Sequence, residues 1–306
     1  MHDLTADPML MPPVPLLAVR GLRRHFGTMP AVDGVDLNVY SGEIYGFLGI
    51  NGAGKTTTIR TLMGIIAAEA GTITLMGETT RRATVEQKRR IGYVSQEQNF
   101  YPWMSCRTLG RFVRSFYPTW DQREFDRLLA VFSIPEKRRV SHLSGGMRAK
   151  LALALALAPK PDLLILDEPT AGLDPVARRE FMDIIVEEAR EHQRTTFFSS
   201  HLIDEVERCA DRIGILHAGR MRFEGRLEEL RGQVRRLILP KTDEPQEMPP
   251  GFQIWQERSN DAALERVVQA PQEAWASFSL PEGAEVKHLG LEEIFIACVS
   301  TRRSLA

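Results

Sequence analysis

One glycine-rich segment near the start of the chain constrains its fold more than any other feature. Residues 49–56 are Gly-Ile-Asn-Gly-Ala-Gly-Lys-Thr and fit the phosphate-loop pattern G-x-x-x-x-G-K-[ST]. The apolar run 44–48 before it predicts a buried strand, and residues 57–63 after it predict a helix. Glycines let backbone N–H groups turn toward phosphate oxygens, and the helix N-terminus adds its positive end. The sequence therefore predicts an α/β domain that binds nucleotide phosphates.

The side chains of this loop indicate which groups hold the phosphates. Lys55 is expected to reach the β- and γ-phosphates, and the Thr56 hydroxyl is expected to ligate Mg²⁺. The residues predicted to bind the nucleotide here are Asn51, Gly52, Ala53, Gly54, Lys55, Thr56 and Thr57.

A second motif supplies two carboxylates. The apolar run 163–166 predicts a strand, and Asp167 and Glu168 follow it directly. An Asp at such a strand end can hold Mg²⁺ through its hydration shell, and a Glu beside it can polarise an attacking water. Coming after a phosphate loop, this pair predicts hydrolysis of ATP with Mg²⁺ as cofactor.

A third motif predicts another anion site. Ser144, Gly145 and Gly146 precede residues 147–158, where leucines alternate with alanines. Both residue types favour helix, so we predict a buried helix there rather than a strand. The hydroxyl, the glycine N–H groups and the helix dipole suit an anion. Because one nucleotide does not need two such sites, this one is expected to serve a nucleotide held by another subunit.

Taken in order, these motifs resemble the nucleotide-binding subunit of an ATP-binding cassette (ABC) transporter over residues 16–225. The resemblance implies a head-to-tail dimer in which each ATP lies between one phosphate loop and the other subunit's signature loop, Ser144 to Gly146. By position, Phe26 would stack on adenine, and Gln96, Asp174 and His201 would be the Q-loop glutamine, the D-loop aspartate and the switch histidine.

The resemblance also assigns roles. The implied catalytic residues are Glu168, His201, Gln96 and Lys55, and the implied metal contacts are Thr56, Gln96 and Asp167. Three positions depart from the family pattern: Met147 replaces a glutamine, Ile50 a proline and Phe26 a tyrosine. None of the three removes a catalytic group, so an active site is expected.

The predicted fold is a P-loop cassette with a mixed, mainly parallel core sheet, an antiparallel β subdomain and a helical insertion at about 97–160. Residues 1–15 are rich in proline and predict a flexible arm. After residue 225, proline-broken strands and a final apolar helix predict a small α+β C-terminal domain, 226–306. Its role is open between a regulatory ligand sensor and a brace for the dimer.

Net charge, cysteine content and the lengths of the apolar stretches indicate which partners and which compartment to expect. The 306 residues carry a net charge of −1, which argues against a nucleic-acid partner, and three scattered cysteines indicate a reducing compartment. No stretch reaches the ~20 apolar residues of a membrane span. We therefore expect a cytoplasmic protein held at the inner face of the cell membrane by a permease.

Aromatic residues follow the Q-loop glutamine closely. Phe100, Tyr101 and Trp103 lie in a predicted loop just after Gln96 and are expected to contact that permease. Helical spacing instead assigns a core face to Leu109, Phe112, Val113 and Phe116.

The function predicted is an ATPase subunit that dimerises around two ATP molecules and drives a separately encoded permease. Residues 289–295 resemble the tail of single-cassette subunits of exporters, so export is favoured and an importer ATPase is the alternative. Soluble cassette ATPases of DNA repair or translation are a second alternative. The former carry a long coiled coil and the latter two cassettes, and this chain has neither. A homodimer is expected because each motif occurs once, with a heterodimer as the alternative.

Overall fold

The computed structural model describes residues 13–240, 247–260 and 263–300. Most of the predicted N-terminal arm, residues 1–12, lies outside these ranges. Within them, none of the helices combines the length and apolarity that a bilayer span requires.

Residues 17–94 form an antiparallel sheet and the first strands of the core sheet. The elements are β1 (Leu17–Phe26), β2 (Met29–Val39), β3 (Ile44–Leu48), α1 (Lys55–Leu62), β4 (Ala70–Leu75), β5 (Glu78–Thr80), α2 (Val85–Arg89) and β6 (Ile91–Val94). The antiparallel sheet has the order β2-β1-β4-β5. The buried residues of this sheet pack in one core with residues of β3 and α1. The alternation of apolar and polar residues along the strands predicts such a buried face.

Three helices make up the insertion. They are α3 (Cys106–Arg114), α4 (Gln122–Val131) and α5 (Gly145–Leu157). Every leucine and alanine of α5 from Ala149 onward is buried, which confirms the predicted helix and explains its apolar surface on all sides.

The core sheet is completed by the next segment. Its elements are β7 (Leu163–Asp167), α6 (Pro175–Glu191), β8 (Thr195–Ser200), α7 (Ile203–Cys209), β9 (Arg212–His217) and β10 (Arg220–Arg226). The order is β10-β9-β3-β8-β7-β6, and all pairs are parallel except β9 with β10. In this register Ser199 of β8 lies beside Phe47 of β3 and Asp167 of β7, so the carboxyl ends of three strands meet at one edge.

A third sheet and three helices follow in the described residues. They are α8 (Leu227–Gln233), β11 (Val234–Pro240), β12 (Gln253–Ser259), β13 (Ala263–Gln269), α9 (Gln272–Ser277), β14 (Glu285–His288) and α10 (Leu291–Val299), with sheet order β12-β13-β11-β14. The apolar face of α10 joins the same core as Val206 of α7, while Trp275 belongs to a smaller cluster of its own.

The predicted core face on α3 is wrong in part. Leu109 is 3% exposed, but Phe112 and Phe116 are 40% and 56% exposed. The reason lies at Gly110, which turns toward Phe125 of α4 and so rotates the two phenylalanines outward.

Gly110→Ala tests this close packing of α3 on α4. A Cβ at position 110 would lie 2.4 Å from the Phe125 ring. Although alanine favours helix by about 1 kcal/mol, overpacking typically costs about 1–3 kcal/mol. We expect a lower free energy of unfolding, measured by chemical denaturation. The matched control is Gly232→Ala on α8, where the nearest atom would be 3.5 Å away; equal stabilisation by both changes would contradict this packing.

Candidate functional site

The phosphate loop joins the carboxyl end of β3 to α1. Its last glycine, Gly54, has a φ of 109°, and a Cβ there would lie 2.2 Å from the Ala31 carbonyl oxygen. Gly52 also has a positive φ, 79°. Both positions therefore require glycine, and the loop is held against β2.

Lys55 begins α1 and is buried. Its Nζ donates to the Gly49 carbonyl oxygen at 2.6 Å and lies 2.9 Å from Glu168 Oε1. The lysine that is predicted to hold phosphate is thus paired with the predicted general base.

Glu168 is held through both its side chain and its backbone. Its Oε2 lies 3.1 Å from Nδ1 of His201, and its backbone N–H donates to Ser199 Oγ at 2.9 Å. Its φ of 44° is unusual for a residue with a side chain, and such strain costs about 1–3 kcal/mol. The Ser199 hydroxyl compensates for part of this cost by satisfying the buried N–H.

Asp167 lies fully buried beside Glu168. Its Oδ1 accepts hydrogen bonds from the hydroxyls of Thr56 and Ser199, both at 3.0 Å, while its Oδ2 has no partner among the described residues. Burial raises the pKa of this carboxyl above its usual range; the two hydrogen bonds offset part of the increase, and the charge of Glu168 adds to it.

These residues fit Mg²⁺. A hydroxyl and a carboxylate converge at the phosphate loop, hard oxygen ligands are those Mg²⁺ prefers, and the second Asp167 oxygen is buried without a hydrogen bond. Ser199, whose hydroxyl bonds the Asp167 carboxylate and the Glu168 backbone N–H, was not predicted. Only the strand register, which places it opposite Asp167, reveals its role.

One cleft of about 870 Å³ brings most of the predicted nucleotide contacts together. The predicted residues that line it are Phe26, Asn51, Gly52, Ala53, Gly54, Lys55, Thr56, Thr57, Gln96, Glu168 and His201. Met29 and Arg178 line it as well and were not predicted. Phe26 is 48% exposed, and the Arg24 guanidinium lies 5.1 Å above its ring, so one aromatic face is held while the side chain remains accessible.

The signature loop does not line this cleft. Ser144 caps α5 by accepting a hydrogen bond from the Met147 N–H, and Asp174 caps α6 in the same way from Val176 and Ala177. Ser144, Gly145, Gly146 and Asp174 are absent from the described lining of the cleft. Their contact with nucleotide therefore stays a prediction that requires a second subunit.

Comparison with known proteins decides the family. The sequence profile of the ABC transporter family matches residues 32–171. The bacitracin transport ATP-binding protein BcrA of Bacillus licheniformis is 36% identical over 225 residues, 73% of this chain and 74% of that protein. The chain belongs to the ABC transporter family. The Nod factor export ATP-binding protein I of Paraburkholderia xenovorans is 41% identical over 212 residues, 67% of this chain and 68% of that protein.

Solved structures agree with this ABC assignment. An ATP-binding subunit of an ABC transporter superposes with a TM-score of 0.64 at 28% identity, covering 71% of this chain and 92% of that one. A dimeric ATP-binding cassette bound to ADP and phosphate, 21% identical, shares the fold with a TM-score of 0.62 and covers 69% and 98%. The predicted family, fold class and activity are confirmed: the chain is the ATP-hydrolysing subunit of an ABC transporter.

Asp167→Asn should stabilise the nucleotide-free protein while abolishing hydrolysis. Because the native pKa of Asp167 is raised, the native state holds this proton more tightly than the unfolded state, and stability from this group falls as pH rises above 3.8, the usual pKa of an aspartate. Removing the charge should raise the free energy of unfolding at pH 7 by about 1 kcal/mol or more. The gain should shrink as the pH is lowered toward 4.

Denaturation at several pH values measures this effect. Asp126→Asn, on the exposed surface of α4, is the control and should change little. If Asp167→Asn were less stable than the wild-type protein at neutral pH, the native state would stabilise the Asp167 charge by more than its burial costs.

Proposed function

We propose that two copies of this chain close around two ATP molecules and drive a separately encoded export permease. The observation that carries the proposal is the arrangement of Glu168 between Lys55 and His201, in a cleft that the signature loop of the same chain does not line. A complete site then needs a second subunit. Export is supported by the relatives, whose names specify bacitracin transport, Nod factor export and linearmycin resistance.

Nucleotide binding should rearrange the Lys55–Glu168 pair. The γ-phosphate carries more negative charge than a carboxylate and would compete for Lys55 Nζ, which releases Glu168. Glu168 then accepts a proton from the attacking water, and His201, 3.1 Å away in the nucleotide-free chain, holds the γ-phosphate. The catalytic base is therefore paired with a cation until substrate arrives.

Mg²⁺ would be held by Thr56, Asp167 and Gln96. When bound, it neutralises charge on the β- and γ-phosphate oxygens. Thr56 and Asp167 are already joined by a hydrogen bond, and Gln96 lines the same cleft, so the chain's own residues converge before the ion is present.

In the dimer, Ser144, Gly145 and Gly146 would contact the γ-phosphate of the ATP held by the other copy. The N-terminus of α5 has thirteen residues of helix behind it, which favours an anion at that end. Met147 cannot supply the side-chain amide that glutamine gives relatives, whereas its N–H already bonds Ser144.

The proposal also assigns the domains and the contact with the permease. Residues 16–225 form the cassette, with helical insertion 97–160, and 226–306 form an accessory domain. The loop with Phe100, Tyr101 and Trp103 contacts the permease next to Gln96. The permease holds the chain at the inner face of the membrane.

Glu168→Gln should bind ATP and stall. Loss of the base should lower turnover by about 10²–10⁴-fold, and loss of the charge that pairs with Lys55 should leave that lysine free for phosphate. We expect tighter ATP binding by equilibrium fluorescence and a dimer by size-exclusion chromatography with ATP.

The double variant Lys55→Ala/Glu168→Gln is the control and should remain monomeric. Turnover at the wild-type rate in Glu168→Gln would remove Glu168 from the role of base. A stalled enzyme that stays monomeric with ATP would argue against the shared site.

A tagged copy of the chain should recover its permease from detergent-solubilised membranes of its own host. Mass spectrometry should find one polytopic membrane protein at a stoichiometric amount, and its sequence would decide between export and import. Recovery with ribosomes or DNA instead would contradict the proposed pairing with a separately encoded permease.

A further inference from the structure

Four aromatic side chains form one exposed patch on the helical insertion. Trp103 lies 5.3 Å from Tyr101, Tyr101 lies 5.5 Å from Phe112, and Phe112 lies 5.3 Å from Phe116, measured between ring centroids. Trp103 and Tyr101 are 64% and 44% exposed, and both phenylalanines are also exposed. We call these four residues the aromatic patch.

Exposing several adjacent aromatic rings to water is unfavourable, and such apolar patches mark interaction surfaces. Tyr, Trp and Phe are enriched at protein–protein interfaces, together with Arg. The patch begins five residues after Gln96, which lines the nucleotide cleft. The segment that joins the cleft-lining Gln96 to the patch is therefore short.

The patch lies in a strongly basic part of the chain. Residues 97–160 contain eleven lysines and arginines but five aspartates and glutamates, whereas the whole chain has 39 of the former and 40 of the latter. The helical insertion is therefore positive although the protein is balanced.

Two arginines of α3 flank Phe112 and are exposed. No carboxylate of the described residues lies within 4.0 Å of Arg111 or Arg114, whereas Arg107, on the same helix, is paired with Glu136. Arg111 and Arg114 are three positions apart and so share one face of α3, next to Phe112 in the sequence. Two exposed guanidinium groups without a carboxylate partner on the helix that carries Phe112 favour a docking partner that brings the opposite charge.

We propose that the permease segment that docks on the aromatic patch is acidic: an apolar side chain flanked by Asp or Glu that pair with Arg111 and Arg114. This inference rests on the proposed function and adds the chemical class of the partner. The aromatic rings supply the apolar contact area, and the two arginines select and orient the segment.

The test uses the intact transporter purified in detergent. The photo-crosslinking residue benzoylphenylalanine replaces Phe116, and mass spectrometry maps the attached permease peptide. At least two acidic residues are expected within about one helical turn of the attachment point, since residues three and four apart share a helix face. An attached segment without acidic residues would overturn the proposal.

Charge variants give a second measurement. Arg111→Glu/Arg114→Glu should reduce permease retention at least tenfold, Arg111→Lys/Arg114→Lys should largely preserve it, and reversing the permease acids to lysine should restore binding to the first variant. Arg81→Glu/Arg82→Glu, in the loop after β5, is the charge-matched control. All variants should keep the ATPase rate of the isolated chain, because none lies in the nucleotide cleft.

The outcomes separate this proposal from the function on which it rests. If the wild-type chain recovers no membrane protein, the proposed pairing with a separately encoded permease fails, and this proposal fails with it. If the permease is recovered but charge reversal leaves it bound, the acidic partner is wrong while the transporter role stands. Binding of the wild-type chain alone to phosphatidylglycerol vesicles, lost on charge reversal with permease retention unchanged, would assign the arginines to lipid.

Discussion

Three parallel strands in register hold the chemistry of this protein at one edge of its core sheet. Ser199 at the end of β8 lies between the end of β3, which leads into the phosphate loop, and the end of β7, which carries both carboxylates. A single hydroxyl can therefore donate to Asp167 and accept from the Glu168 N–H. Glu168 has a left-handed backbone at the end of β7, and its side chain contacts Lys55 and His201.

Burial determines how the charged groups of the nucleotide site are paired in the nucleotide-free chain. Lys55 and Glu168 are both buried, and a buried charge without a partner costs several kcal/mol. Pairing them at 2.9 Å offsets part of that cost and keeps the Glu168 carboxylate bound to Lys55. Asp167 keeps one unpartnered buried oxygen, which is the kind of unsatisfied group that active sites retain for a ligand.

Much of the fold followed from local patterns. The strand before the phosphate loop, the buried Leu/Ala helix and the terminal helix were predicted correctly because apolar runs, caps and propensity agree there. The error on α3 has a tertiary cause. Leu109 and Phe112 share a helical period, but the close approach of Gly110 to Phe125 sets which side of α3 faces α4, and periodicity cannot show that.

By itself, the sequence determined the phosphate loop, the carboxylate pair and the order of motifs, since each is a local string whose residue types carry the chemistry. Tertiary structure alone decided that Lys55 pairs with Glu168, that Ser199 bonds the Asp167 carboxylate and the Glu168 backbone, and that four aromatic rings meet on the surface. Those contacts join residues far apart in the chain, or depend on how a helix is rotated. Both are set by strand register and side-chain packing, which short sequence patterns do not encode.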